Sequence, residues 1–322
     1  MKVKYKSNKL ILVFLIILCF IFVFNAKTYS KSCLDAISVW SVSVLPVLLP
    51  VFIITKIIIN LTEIKQNKLD KFFLKAYNTP TGSASVFFLS LISGYPVGAK
   101  LIGEMYENKY FTTDDAKKLL SFCSICGPAF VIGTVGGVFL NSILAGVLIF
   151  IANLMASLVN GFIFRGRPKK IENKIIFLDK KENILEASVY NSLISILMVG
   201  CYIVISFILI DILQNFNIIP FLSNTICGVF NLKNSQQVVN SILCGIIEMT
   251  RGLLYLSSAN IGLNLKIIIS SGLIGFGGFS VFLQSFSFIS KLKIKARFIL
   301  LQKLIQGVLS CIFAFLLTLI FV

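Results

Sequence analysis

Long apolar runs separated by short polar segments dominate the chain. A bilayer core requires roughly 20 apolar residues per helix, and several runs are close to or longer than that length. The uninterrupted runs are 10–24, 36–61, 143–164, 189–213 and 298–322. Four further apolar stretches are broken by glycine, proline or charged residues, at 83–102, 118–140, 241–259 and 265–289. This pattern predicts an all-α polytopic membrane protein with about seven spanning helices, two re-entrant hairpins and broken helices.

The overall composition agrees with this class. Of 322 residues, 57% are hydrophobic and 13% are charged, and the mean hydropathy is +0.93, values typical of a protein embedded in lipid. Basic residues precede the first apolar run, as they do within a signal peptide. However, Asn25, Ala26 and Lys27 after the run do not form a small-residue cleavage site. We therefore expect a retained first helix.

An internal repeat organises the sequence. A shift of 151 residues places Asp35, Ser93, Gly94, Lys100 and Gly127 on Glu186, Cys244, Gly245, Arg251 and Gly278. Recurrence at one spacing indicates two copies of a structural unit. We predict five parts: an N-terminal helix and outer loop (1–34), a first repeat (35–164), a basic cytoplasmic linker (165–185), a second repeat (186–290) and a C-terminal helix (291–322).

The distribution of charge predicts the orientation of the chain. A net charge of +17 is compatible with nucleic-acid binding, but the basic residues cluster in short segments beside the apolar runs, where Lys and Arg mark the cytoplasmic side. We expect no nucleic-acid partner and a cytoplasmic N-terminus. The basic linker is cytoplasmic only if 83–102 forms a hairpin, and the basic residues 291–297 are cytoplasmic if the region around Gly245 forms a second hairpin. Three full spans then separate equivalent helices, so the second repeat is inverted.

The predicted helix breaks bring the candidate binding residues together. Irregular backbone is tolerated at membrane depth only where protein buries it or where it lines a wet cavity, and in inverted repeats such breaks meet near the midplane. The predicted breaks are Gly94, Pro96, Gly98, Gly127, Pro128, Gly245, Gly277 and Gly278. The predicted substrate-binding residues are Glu248, Arg251, Thr250, Lys100, Ser93, Tyr95, Ser280 and Gln284.

Each of these residues can also have a purely structural role. Glu248 and Arg251 are three residues apart on a predicted helix, a spacing at which they can pair with each other. Lys100 can pair with Glu104 or extend to the membrane surface, and the glycines can serve close helix packing. Ionisable groups within membrane segments are costly, and the default interpretation is functional. Glu248 and Arg251 are therefore the first candidates, followed by Lys100.

Catalytic and metal chemistry find little support in the sequence. The chain contains no histidine, which excludes a histidine base, triad or metal ligand. Cys123 and Cys126 form a CxxC pair without a second pair, and thiols in apolar segments behave as small hydrophobic groups. With 13 Asp and Glu residues in total, a membrane enzyme is the weakest class. We expect no catalytic residues, no metal site and no cofactor.

The order of several motifs resembles a known family. LLPVF, SGYPVGAK, an acidic helix start and a Gly-Pro break are followed by EMTRG and GFGGFSVFLQ. Over about residues 35–289 this order resembles the sporulation integral membrane proteins of spore-forming bacteria. Those proteins carry the nucleoside-recognition or Gate domain, which concentrative nucleoside transporters and ferrous-iron transporters also contain. Glu248, Thr250 and Arg251 match the family pattern, whereas the first hairpin offers only Lys100.

The resemblance implies a membrane protein of the sporulating cell with a transporter-like fold and no established substrate. Two functions fit this expectation. The first is binding or moving a small solute by alternating access of the two hairpins. The alternative is a platform for spore envelope or cortex assembly that transports nothing. The expected partners are the lipid bilayer and a small solute, with other sporulation membrane proteins or a second copy of the chain as further options.

The predicted orientation can be tested by cysteine labelling. In a background without native cysteines, a cysteine at Lys174 in the linker should react with a membrane-impermeant maleimide only after the cells are opened. A cysteine at Lys233, which the prediction places outside, serves as the matched control and should react in intact cells. Labelling of position 174 from outside would contradict the inverted topology.

Overall fold

The computed structural model describes residues 9–61, 68–166, 183–232 and 235–322, and the regular elements in these ranges are all helical. The first half contains α1 (Lys9–Phe24), α2 (Ala26–Val39), α3 (Leu45–Leu61), α4 (Lys68–Tyr77), α5 (Ser83–Ser93), α6 (Val97–Glu107), α7 (Thr113–Cys123) and α8 (Ile143–Ile163). The second half contains α9 (Ile184–Asn215), α10 (Ile218–Val229), α11 (Gln236–Ile247), α12 (Met249–Ser258), α13 (Leu263–Phe276), α14 (Gly278–Ile289) and α15 (Ala296–Phe321).

Three shorter segments complete the description. π-helices occupy Trp40–Val44, between α2 and α3, and Ala129–Phe139, between α7 and α8, and a 3₁₀ turn spans Ser290–Leu292. The all-α prediction is confirmed.

Five helical stretches in the described ranges are long and apolar enough to cross a membrane. They are Ala26–Ile58, Ile143–Ile163, Ile184–Asn215, Leu263–Leu292 and Ala296–Phe321. The chain is therefore a multi-pass membrane protein. Of the seven predicted spans, the first corresponds to α1, which has only 16 residues. The span predicted at 118–140 is interrupted between Cys123 and Ala129.

The predicted outer loop before residue 35 is wrong, because α2 occupies it. The backbone N–H of Asn25 donates to the carbonyl of Ile21, and the N–H of Tyr29 donates to the carbonyl of Asn25, both at 3.1 Å. Helical hydrogen bonding thus continues from α1 into α2. Residues 26–35 contain no glycine or proline, so the polar side chains there do not end the helix. The linker residues 167–182 lie outside the described ranges.

The same order of elements occurs in both halves. A long helix (α3 or α9) is followed by a short helix (α4 or α10), a helical hairpin, a broken helix, and another long helix (α8 or α15). We call α5–α6 the first hairpin and α11–α12 the second hairpin. The first broken helix is α7 with the following π-helix, and the second broken helix is α13–α14. The hairpins begin 153 residues apart, at Ser83 and Gln236, and the broken helices 150 apart, at Thr113 and Leu263. The spacing between equivalent elements of the two halves is therefore close to the predicted 151 residues but is not constant.

The arms of each hairpin fold back on each other through glycine. A Cβ placed on Gly98 would lie 2.7 Å from Ser90 Oγ on the opposite arm. In the second hairpin, a Cβ on Gly252 would lie 2.5 Å from the Gly245 nitrogen and 2.8 Å from the Ser241 carbonyl. Gly98 lies within α6 and Gly245 within α11. Their prediction as helix breaks is therefore wrong, because both glycines permit close contact of helices.

Side-chain caps fix where the first hairpin and the first broken helix begin. Asp70 of α4 is buried, and its Oδ1 accepts hydrogen bonds from the backbone N–H groups of Gly82 (3.0 Å) and Ala84 (3.1 Å) at the start of α5. Thr112 and Asp115 form a capping box at the start of α7. These caps satisfy N–H groups that a helix start leaves unpaired, and they position the two elements that meet at the candidate site.

Replacing Gly252 with alanine should separate the arms of the second hairpin. The new methyl group would collide with the backbone at Gly245, which cannot move aside as a flexible side chain can. Overpacking of this kind costs about 1–3 kcal/mol, so the purified variant should melt at a lower temperature. Gly228→Ala is the matched control, because a Cβ there meets nothing within 4 Å. Equal melting of the two variants would contradict the close packing of the arms.

Candidate functional site

The tip of the first hairpin touches the break in the first broken helix. α5 ends at Ser93, and α6 begins at Val97 after a cis peptide bond between Tyr95 and Pro96. A Cβ on Gly94 would overlap the backbone of Gly127, which lies in the break between α7 and the π-helix. Gly94 also has a φ of 73°, a conformation that favours glycine.

The second half repeats this arrangement with different residues. Glu248 interrupts the second hairpin in an extended conformation (φ −139°, ψ 113°), and Gly277 interrupts the second broken helix with a φ of 85°. A Cβ on Gly278 would lie 3.0 Å from the Gly245 carbonyl and 3.2 Å from the Met249 nitrogen. The tip of the second hairpin therefore touches the break of its own broken helix.

Tyr95 joins the two halves. Its hydroxyl lies 3.4 Å from the carbonyl of Ile274 in α13, and its ring lies 3.7 Å from the position of a Cβ on Gly277. The first hairpin thus reaches the break in the second broken helix. All four breaks lie in one connected region of the protein.

A small cavity opens between these breaks. The centres of water molecules can occupy a volume of about 40 Å³ in this cavity. The total space that atoms leave unfilled, including open solvent at the mouth, is about 470 Å³. Its polar lining comes from both hairpins and from α14. The polar lining residues are Ser93, Tyr95, Glu248, Thr250 and Gln284. Apolar residues of the long helices, such as Val44, Leu48, Val199 and Ile203, close the remaining sides.

Glu248 combines a cap with a place in the cavity wall. Its side chain is 2% exposed, and Oε2 accepts a hydrogen bond of 2.7 Å from the backbone N–H of Arg251. The carboxylate therefore caps the N-terminus of α12, where the helix dipole favours negative charge. Gln284 is also buried, and its amide donates to Ser280 Oγ at 3.3 Å. Ser280 thus supports Gln284 from behind the lining.

The structure places the side chain of Arg251 outside the cavity lining. The guanidinium pairs with Asp211 of α9, donates to the Phe207 carbonyl at 2.9 Å and bonds Tyr255 on the next turn of α12. Its contact with Glu248 comes from the backbone N–H alone. The simple Glu248–Arg251 ion pair is therefore not formed. Arg251 instead ties the second hairpin to α9.

Lys100 also lies apart from the cavity lining. Its ammonium donates to Ser195 Oγ of α9 at 3.1 Å and lies 5.7 Å from the centre of the Phe288 ring. Glu104 pairs with Lys56 of α3 at 3.4 Å. Lys100 connects the first hairpin to the second half of the chain.

Sequence reasoning missed Lys303. This lysine lies on α15, is 4% exposed, and donates to the Tyr95 hydroxyl, the Ser124 carbonyl (2.9 Å) and Gln306 Oε1 (2.8 Å). The signal was present in the sequence, because Gln302, Lys303 and Gln306 share one side of an otherwise apolar helix. However, Lys303 follows a basic segment at the predicted start of the last span, so from the sequence it groups with the cytoplasmic basic residues.

Comparison with known proteins supports the assignment of this chain as an integral membrane protein. The chain is similar to the sporulation integral membrane protein YlbJ of Bacillus subtilis (strain 168). The two sequences are 26% identical over 309 residues, which cover 87% of this chain and 75% of the relative. No protein-family model matches the chain. No solved structure matches it either.

Replacing Asp211 with asparagine should weaken the attachment of the second hairpin to α9. The change leaves the buried Arg251 guanidinium without its charged partner, and breaking a buried ion pair costs about 3 kcal/mol. The variant should therefore melt well below the wild-type protein in detergent. Glu107→Gln is the matched control, because its pair with Lys291 is exposed and contributes about 0–1 kcal/mol. A loss no larger than that of the control would contradict the tether.

Proposed function

We propose that this chain is a sporulation membrane protein that binds a small polar solute between the four helix breaks and moves it across the membrane by alternating access. Similarity to the Bacillus subtilis protein supports the role in sporulation. One observation carries the solute site: buried polar residues of both hairpins line a single cavity where all four breaks meet. Irregular backbone at membrane depth is expected beside such sites.

The chemistry of the lining narrows the class of solute. Glu248 contributes a carboxylate that caps α12 and also bonds Thr250, and Gln284 and the hydroxyl of Tyr95 add further polar groups to the wall. No Lys or Arg side chain belongs to this lining. The wall therefore suits a neutral or positively charged solute that donates hydrogen bonds to Glu248. An anion would meet the buried carboxylate and be disfavoured.

The size of the cavity defines the conformational state. The space open to water centres has room for a few water molecules, whereas drug-sized ligands occupy about 300–1,000 Å³. The structure therefore corresponds to a closed form, in which entry of a solute requires at least one hairpin tip to move. Each tip contacts the broken helix of its own half, and the first tip must also release Tyr95 from the Ile274 carbonyl before it opens apart from the second. Separate opening is the requirement of alternating access.

The recurring order of elements supports a further part of the proposal. Each half has a hairpin followed by a broken helix and a long helix, an arrangement in keeping with a Gate-type repeat and a distant relation to concentrative nucleoside transporters. We include no enzymatic step in the proposal. We propose no cofactor for the solute site.

Thermal stabilisation of the detergent-purified protein tests the solute site. The panel contains nucleosides, nucleobases, amino acids, dipicolinate and divalent metals. A ligand present at 100 times its Kd stabilises the folded state by about 2.7 kcal/mol, so a solute of the proposed class should raise the melting temperature. Glu248→Gln should abolish this shift, because it removes the charged acceptor. Glu107→Gln, at an exposed position, should keep it.

The outcomes separate the two functions. A shift with a nucleoside, nucleobase or amino acid that Glu248→Gln removes supports solute binding and gives the chemical class. A shift that survives Glu248→Gln places the ligand elsewhere and contradicts the site. If the whole panel leaves both proteins unchanged, the solute site is refuted for these classes, and the spore-envelope platform becomes the better account.

A further inference from the structure

Lys303 is a buried lysine whose hydrogen-bond acceptors are all neutral. Each of its three N–H donors has one partner: the Tyr95 hydroxyl, the Ser124 carbonyl and the Gln306 side-chain oxygen. The Tyr95 ring lies 4.6 Å from the ammonium and adds a cation–π contact. Taking an ammonium ion out of water costs several kcal/mol. Retaining it without a carboxylate requires a site that specifically favours positive charge.

The backbone at this position supplies such a site. Ser124 is the C-cap of α7, so its carbonyl lies at the end of a helix where unpaired carbonyl groups accumulate partial negative charge. Gly127 and Pro128 follow after two residues, and the chain becomes helical again only at Ala129. Lys303 thus satisfies a carbonyl group that the break leaves exposed within the protein.

The three acceptors also come from three separate elements. Tyr95 belongs to the tip of the first hairpin, Ser124 to the first broken helix and Gln306 to α15. Neutral oxygens that converge from a helix end, a hydroxyl and an amide are the ligand type that binds monovalent cations within membranes. Here the ammonium group occupies the centre of that set.

The first half lacks a cation at the equivalent position of α8. Counted from the first residues of α15 and α8, Lys303 corresponds to Phe150, and Gln306 corresponds to Asn153. Asn153 bonds Ser271 of α13 at 3.1 Å and Ser310 of α15 at 3.2 Å. The polar position is thus present in both halves, but the positive charge is present in one.

We infer that Lys303 is a tethered cation that fills a monovalent-cation site formed by Tyr95, Ser124 and Gln306. Its ammonium holds the tip of the first hairpin against the first broken helix and α15. A free sodium or potassium ion is therefore unnecessary for the closed form. Removing the ammonium should leave an oxygen-lined site that small monovalent cations can enter. The inference concerns the ion site alone, and its test requires no solute.

Cation rescue tests this inference. Lys303→Ala is purified and melted in chloride salts of sodium, potassium, ammonium, methylammonium and choline at one ionic strength. The wild-type protein should melt at the same temperature in every salt. The variant should melt lower in choline and recover a large part of the loss, saturably, with at least one small cation. Lys56→Ala, which removes a partly exposed pair with Glu104, is the control and should show no cation preference.

Several results would overturn the inference. One is equal melting of Lys303→Ala in choline and in every small cation. A second is a specific sodium or potassium stabilisation of the wild-type protein, because Lys303 would then not meet the need for a cation. If Lys303→Ala does not fold, Lys303→Ser offers a smaller disturbance and an added oxygen. Failure of both variants to fold with methylammonium present throughout purification also contradicts the proposal.

Discussion

The need to satisfy backbone groups at interrupted helices governs this structure. Within a bilayer, an unpaired N–H or carbonyl group has no water to bond and costs several kcal/mol. Polar side chains satisfy backbone groups at two of the breaks here. The Glu248 carboxylate accepts from the start of α12, and Lys303 of α15 donates to the end of α7. The interrupted helices therefore depend on partners that a continuous helix does not need.

Local signals made part of this arrangement predictable. Glycine and proline weaken helices wherever they occur, and the interruptions at Gly94, Gly127 and Gly277 carry this signal. Gly245 carries the same signal but lies inside α11, where its small size serves contact with Gly252 on the other arm. The interruption at Glu248 has no helix-breaking residue, and only a charge within an apolar stretch marks it. Composition and apolar runs were sufficient for the fold class.

Partners distant in sequence could not be predicted. Arg251 and Asp211 are 40 residues apart, and Lys303 and Tyr95 are 208 apart. Spacing along one helix suggests only local pairs, such as Glu248 with Arg251 or Lys100 with Glu104, and the structure replaces both with contacts between helices. The offset between the halves also varies along the chain. A constant shift of 151 residues therefore aligns Gly94 with Gly245 instead of with Glu248. Two similar halves therefore use different chemistry at equivalent places.

The short arms of the hairpins have a consequence for biogenesis. α5, α6, α11 and α12 contain only 10 to 12 residues each, about half the length that crosses a bilayer. The insertion machinery has no reason to release such arms into lipid as independent segments. They must settle against the long helices after those helices are in place. The region where all four breaks meet draws on elements of both halves, up to α14, so it is complete only in a chain that contains both.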